Sequence, residues 1–280
     1  MFAEKVLQDR VVVVTGGGTG LGRSMAGRFA ELGAKLVLTS RKREHLDAAA
    51  ADIGAKGAEV LVVPADVRDF EQVEAMVGEA MKRFGRIDVL VNNAAGNFMS
   101  PTELLSPKGF AAVVGIVLQG TFNCTLACGR KMIESERGGA ILNIVASYAW
   151  TGSGFVVPSA CAKAGVLAMT RSLAVEWAKY RIRVNAISPG PFPTPGAWEK
   201  LVPSKEAEEE AKAGIPLHRF GEHAELANLA AFLLSDYSGY INGDCISIDG
   251  GQWLVGGMFN RVAMLDQAGM AKFMEKMTPR

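Results

Sequence analysis

The chain has 280 residues, 49% of them apolar and 21% charged, with a formal net charge of +1. This composition excludes disordered and fibrous classes, since there is ample apolar surface to drive collapse. Near-neutrality leaves no broad basic footprint for a phosphate backbone, so nucleic acid is not an expected partner, while small anionic ligands remain open.

Short β-branched runs alternate with longer helical patterns, and seven strands are predicted: Arg10 to Thr15, Lys35 to Thr39, Glu59 to Pro64, Ile87 to Asn92, Ala140 to Ala146, Ile182 to Ile187 and Asp244 to Ile248. Val11 to Val14 and Val60 to Val63 are apolar throughout, as strands covered on both faces require, so the sheet is expected to be parallel. Gly20 to Leu32, Asp69 to Phe84 and Pro158 to Lys179 are apolar every three to four residues and long enough for crossover helices. The predicted architecture is α/β: a single doubly wound Rossmann-type domain over residues 1–280, with a seven-stranded parallel sheet flanked by helices. No linker or repeat divides it. The charged insertion between strands six and seven, about residues 191–214, reads as a flap over a site. The tail from about residue 253 shows amphipathic spacing from Ala263 to Met277.

Strand one runs into Gly16-Gly17-Gly18-Thr19-Gly20-Leu21-Gly22 and then directly into a helix. Glycines in this place allow a tight turn and let backbone N–H groups approach a pyrophosphate at the helix N-terminus. A carboxylate at the end of strand two would pair ribose hydroxyls and repel a 2′-phosphate. The chain has Ser40-Arg41-Lys42-Arg43 there, so NADP(H) is expected rather than NAD(H).

With Asp66-Val67, Asn92-Asn93-Ala94-Ala95-Gly96, Lys163 and the run from Pro189-Gly190 to Thr194, this pattern resembles the short-chain dehydrogenase/reductase family over about residues 8 to 251. The resemblance implies an adenine contact at Asp66 and Val67 and a wall beside the adenosine ribose at Asn93, Ala94, Ala95 and Gly96. It also implies a nicotinamide carboxamide loop at Pro189, Gly190, Phe192 and Thr194, and a homo-oligomer, a tetramer in first place, packed through the fourth and fifth crossover helices.

Most members of that family use a Tyr four residues before the Lys, a Ser thirteen before that Tyr and an Asn on the preceding helix. This chain has Ser159, Ala146 and Val117 in those places. A serine hydroxyl is too weak an acid to stand in for a tyrosine of pKa ~10, so ordinary ketone or alcohol chemistry is not expected. Of the four tyrosines only Tyr148 follows the carboxyl end of a strand, where open α/β sheets bind ligands. Ser159 and Lys163, four apart, share a helix face.

This rearranged set is similar to the mitochondrial-type 2,4-dienoyl-CoA reductase branch, in Asn93 to Phe98, in Tyr148 with Thr151 to Ser159, and in Pro189-Gly190-Pro191. The resemblance implies catalytic roles for Tyr148, Ser159 and Lys163, with Gln119 where the branch has an active-site Asn, and an acyl-CoA partner. Hydride added to the far end of a conjugated dienoyl thioester leaves charge on the thioester oxygen, which needs donors rather than immediate protonation. Tyr148 and Gln119 are expected to supply them, Lys163 to hold the nicotinamide ribose as well, and Ser159 to help place the substrate. Asn97, Phe98, Tyr148, Phe155 and Ser159 are the expected substrate contacts, with Phe192 and Trp198 as further apolar walls. Lys200 and Arg219 are candidates for the CoA phosphates.

Nothing else competes strongly. Cys124 and Cys128 sit four apart without histidines at ligand spacing, so buried apolar thiols rather than a metal site are expected. No stretch reads as the 18 or more apolar residues of a membrane span, the best being Leu226 to Leu234 with Asn228 inside it. The first ten residues lack the apolar run of a signal peptide, and a cytoplasmic protein with no membrane partner is expected. Two other functions stay open: a reductase of the same fold acting on a 2-enoyl thioester or activated carbonyl, and an NADP(H)-binding sensor without catalysis.

Overall fold

The alternating pattern folds into one sheet in the computed structural model, which describes residues 5–194, 204–257 and 259–277. Its strands are β1 (Val11–Thr15), β2 (Lys35–Thr39), β3 (Val60–Val62), β4 (Val89–Asn92), β5 (Gly139–Ile144), β6 (Ile182–Pro189) and β7 (Cys245–Ile248), in the order β3-β2-β1-β4-β5-β6-β7. Pairing is parallel, with Val12 opposite Leu36 on one side and Val89 on the other. All seven expected strands are present, with shifted ends. The order runs outward from β1 and β4, so their outgoing loops diverge and open a crevice at the carboxyl edge.

The helices are α1 (Gly20–Glu31), α2 (Arg43–Gly54), α3 (Phe70–Phe84), α4 (Pro107–Val114), α5 (Gly120–Glu134), α6 (Tyr148–Thr151), α7 (Val157–Glu176), α8 (Lys205–Ala213), α9 (His223–Leu234) and α10 (Gln267–Met277). Val11 and Val13 pack with Val73 and Met76 of α3 and with Cys124, Cys128 and Met132 of α5. Val12 and Val14, equally buried, point to the opposite face because strand side chains alternate. Helices on both faces thus explain the unbroken valine run. Asp69 starts α3 by accepting the N–H groups of Glu71 and Gln72, and Gly85 at φ +71° ends it. Such a cap stabilises a helix by about 1 kcal/mol.

A wide π-helical turn, Gly115–Gln119, joins α4 to α5, so Pro107–Glu134 is one 28-residue helix. By length and composition it could cross a membrane, which corrects the expectation that no such stretch exists. Core packing accounts for its apolar character: Val113 and Val117 pack with Val145, Ala162 and Val166, while Cys124, Ala127, Cys128 and Met132 enter the α3 cluster. A search for uninterrupted apolar residues passes over it because Gln119 and Asn123 break the run.

The chain divides into two compact units, residues 1–189 with 223–247, and residues 190–222 with 248–280. Within the second unit, Gly190 donates its N–H to Ile248 O at 2.9 Å. A Cβ on Gly190 would come within 2.6 Å of Asp249. Phe192 is buried, and its ring lies where a Cβ on Gly221 would come within 2.3 Å. That ring is core packing of this unit. An apolar cavity of about 310 Å³ is lined by Pro216, Leu254, Val255, Ala263 and Met264 among others.

Candidate active site

At the carboxyl ends of β1 and β4, one hydroxyl stitches two loops together. Thr15 Oγ1 accepts the N–H groups of Asn93 (3.0 Å) and Ala94 (2.9 Å) and donates to Val91 O, while the Asn93 amide donates back to Thr15 O at 3.0 Å. The wall Asn93–Gly96 is thereby held against the glycine turn. Gly16 and Gly20 take φ of +65° and +52°, the left-handed region that glycine enters without strain. A Cβ on Gly22 would lie 2.3 Å from Gly16 O and 2.5 Å from the Asn93 amide. No side chain fits between turn and helix. Thr19 opens α1 without a side-chain cap, and no acid occupies the first turn, so the leading N–H groups near Leu21 face outward for an anion.

Ser40, Arg41 and Lys42 follow β2, with Arg41 and Lys42 exposed. The Asp66 carboxylate is clasped by Arg68 Nε at 3.0 Å and Nη2 at 2.5 Å, and that hydrogen bond holds the carboxyl below the usual carboxylate range. Buried Asn123 of α5 donates to the carbonyls of Val67 (2.9 Å) and Arg68 (3.2 Å), which bolts this loop to the helix. Among the described residues, three buried side-chain oxygens have no partner: Thr39 Oγ1, Asn92 Oδ1 and Ser188 Oγ. They stand at the carboxyl ends of β2, β4 and β6. Orphaned buried oxygens are uncommon and ask for an explanation, and here all three mark the same edge as the glycine cradle. A nicotinamide dinucleotide fits these residues.

At the end of β5 the site is made of side chains. Tyr148 opens α6, and its hydroxyl lies 3.1 Å from Ser159 Oγ on α7. Ser159 is buried, and so is Lys163 one turn on, whose ammonium donates to Ile144 O at the end of β5. Burial pushes that ammonium down to about 8, because a low-dielectric surround disfavours the charged form. The segment between Tyr148 and Ser159 forms an arch pinned by Ser100 N–H donating to Phe155 O at 2.9 Å. Asn97 and Phe98 are exposed on the loop carrying Ser100.

The structure therefore brings Tyr148, Ser159 and Lys163 together. Val117, in the place where an Asn is usual, is buried among Val113, Val145 and Ala162, so no polar group serves there. The Gln119 amide, expected as a donor to the thioester oxygen, gives one N–H to Asn123 Oδ1 at 2.9 Å, and Asn123 in turn reaches the Val67–Arg68 loop. Gln119 closes the π turn, at the point where the widened helix passes into α5. Asn123 escaped the sequence reading, although its four-residue spacing from Gln119 signals a helix-face pair. Trp198 and Lys200 lie outside the described residues, and Arg219 donates to Phe220 O. Cys124 and Cys128 are buried, and burial pushes the Cys124 thiol up to about 12. No group of three or more metal-ligating side chains occurs among the described residues.

Residues 16–252 match the family model described as enoyl-(acyl carrier protein) reductase. A Bacillus subtilis (strain 168) protein named probable 2,4-dienoyl-CoA reductase, (2E)-enoyl-CoA-producing, is 49% identical over 249 residues, covering 89% of this chain and 98% of the relative. A Caenorhabditis elegans protein named probable 2,4-dienoyl-CoA reductase 3, (3E)-enoyl-CoA-producing, is 44% identical over 256 residues, 90% of this chain and 83% of the relative. Among solved structures, a short chain dehydrogenase from Bacillus anthracis aligns with TM-score 0.80 and 46% identity over 87% of this chain and 96% of that one. A gluconate 5-dehydrogenase from Burkholderia cenocepacia, in complex with NADP and tartrate, aligns with TM-score 0.83 and 31% identity over 89% and 97%.

Proposed function

The chain belongs to the short-chain dehydrogenase/reductase family of oxidoreductases, and from that premise we propose that it reduces a 2,4-dienoyl-CoA thioester to an enoyl-CoA with NADPH. The observation that carries this reading is the Tyr148–Ser159 pair, 3.1 Å apart, with serine where an acid is usual. Such a site offers hydroxyl hydrogen-bond donors to a developing oxyanion. NADPH is preferred because Ser40, Arg41 and Lys42 offer a hydroxyl and two cations where a carboxylate would repel the 2′-phosphate.

When bound, the reduced nicotinamide supplies a hydride to C5 of the dienoyl group. The electron pairs of the two double bonds then shift toward the carbonyl, leaving a dienolate with its charge on the thioester oxygen. Tyr148 donates to that oxygen, with Ser159 fixing the phenol. The second donor is assigned to Asn97 rather than Gln119: Asn97 is exposed on the loop tied to the Tyr148 arch, whereas the Gln119 amide is engaged by Asn123. Lys163 holds the ribose, and its charge favours the anion. A proton from water delivered at C2 leaves the double bond between C3 and C4. Delivery at C4 instead leaves it between C2 and C3, the split that the relatives' names also show.

The test follows NADPH oxidation with trans-2,trans-4-hexadienoyl-CoA and a trans-2-hexenoyl-CoA control. Dienoyl-dependent turnover is the expected result. Turnover with the enoyl thioester alone would move the assignment to another reductase, and NADPH binding without turnover on either would move it to a sensor.

A further inference from the structure

Seven residues past Tyr148, the arch holds Phe155 at φ +62° with the residue 58% exposed. Both features work against folding, since the left-handed region strains any residue with a Cβ and an exposed phenyl ring leaves its apolar area in water. A glycine stands next door at position 154, where the backbone is not left-handed and a Cβ would meet nothing within 4 Å. Glycine thus sits where none is required, and phenylalanine sits where glycine would relax the chain. The fold does not ask for the ring: it joins neither core cluster, and the segment's tie to Ser100 is made by the Phe155 carbonyl, which any residue supplies. What holds the conformation is the arch itself, closed by Tyr148 on Ser159 and bent at Gly152, φ +69°. Non-glycine residues kept in this region concentrate at ligand sites. The loop pinned to the arch carries two more exposed apolar side chains, Phe98 and Met99.

Resting on the function proposed above, we propose that Phe155 determines specificity for the part of the acyl chain beyond the reacting double bonds. Its ring is a ledge on which the methylenes past C5 lie, and the left-handed backbone turns it out toward that chain. Phe98 and Met99 extend the same apolar surface.

The test measures, by calorimetry on the NADP-bound protein, the affinities of hexanoyl-CoA and decanoyl-CoA for wild type, Phe155→Gly and Phe155→Leu. Each fully buried methylene strengthens binding about fourfold, so a wild-type preference for decanoyl-CoA of at least about 30-fold is expected. Phe155→Gly is expected to cut that preference below about fivefold while leaving hexanoyl-CoA affinity within about threefold. Relief of strain is expected to raise its melting temperature by about 2 °C. Phe155→Leu should keep most of the preference. An unchanged preference in Phe155→Gly overturns the proposal, as does an equal loss for both ligands with a lowered melting temperature, which would mark a structural residue. If wild type binds neither thioester, the functional reading itself falls. A wild-type preference that survives in the glycine variant removes only the role of Phe155.

Discussion

The two ends of the crevice are made of different material. Beside β1 and β4 the groups open to a ligand are backbone: N–H groups at the start of α1, a turn whose Gly16 is left-handed, and a wall stitched by Thr15. Beside β5 they are side chains, Tyr148, Ser159 and Lys163, carried on two helices and an arch. A backbone site cannot drift along the chain, because the Gly22 position has no room for a Cβ beside Gly16 O. A side-chain site can be re-sited wherever another residue brings the same atom to the same place. Here the phenol comes from a residue eleven positions before the serine that stands in its usual place.

That contrast predicts that damage at the two ends separates cleanly. Tyr148→Phe is expected to lower kcat/KM for a dienoyl-CoA by about 100- to 1,000-fold, the cost of one oxyanion donor, with NADPH affinity changed by less than about threefold. Gly22→Ala forces its Cβ against Gly16 O and is expected to weaken NADPH binding by about 100-fold, measured by fluorescence titration. If the phenylalanine variant loses cofactor instead, the division between the two ends is wrong.

The choice between the two amides sharpens the comparison further. Asn97→Ala is expected to cost about 100-fold in kcat/KM and to be non-additive with Tyr148→Phe, since both donors serve one oxygen. Gln119→Ala, whose amide is tied to Asn123, is expected to cost less than about threefold. The reverse ranking would return the second donor to Gln119. At the backbone end, replacing Arg41 and Lys42 together by alanine is expected to shift the NADPH-over-NADH preference by about tenfold, a smaller effect because both cations are exposed and screened.

A further effect comes from pH. The Lys163 ammonium loses its proton near 8 in the folded chain and near the ordinary value of 10.5 when unfolded. Between those values the unfolded state holds the extra proton, so stability rises with pH, by up to about 3 kcal/mol once both limits are passed. Below pH 8 both states are protonated and the burial cost is felt in full. Activity that needs the cation should move the other way and fall as pH passes 8. Parallel rather than opposite movement of melting temperature and kcat/KM across that value would count against the charged form as the working one.

The same division governs how much could be read from residues alone. Val11 to Val14 announce a strand buried on both faces, and the glycines after Thr15 announce a cradle, because both depend on local backbone chemistry. Tyr148, Ser159 and Lys163 were legible from their place after a strand and their helical spacing. The hydrogen bond from Gln119 to Asn123 was not, since the sequence does not announce the π turn that ends at Gln119. Asn123 and the clasp of Arg68 on Asp66 depend on which loops meet in space. The left-handed backbone of Phe155 is equally silent, because the glycine that would have signalled it sits one residue too early.

The central claim, hydride addition at the far end of a conjugated dienoyl thioester with charge relayed to an oxygen held by Tyr148, is tested most directly by following the label. Turnover with NADPH deuterated at the transferring C4 position, with NMR of the product, is predicted to place deuterium at C5 and solvent hydrogen at C2 or C4. Deuterium at C3, the mark of enoyl reduction, or at the carbonyl carbon would contradict it.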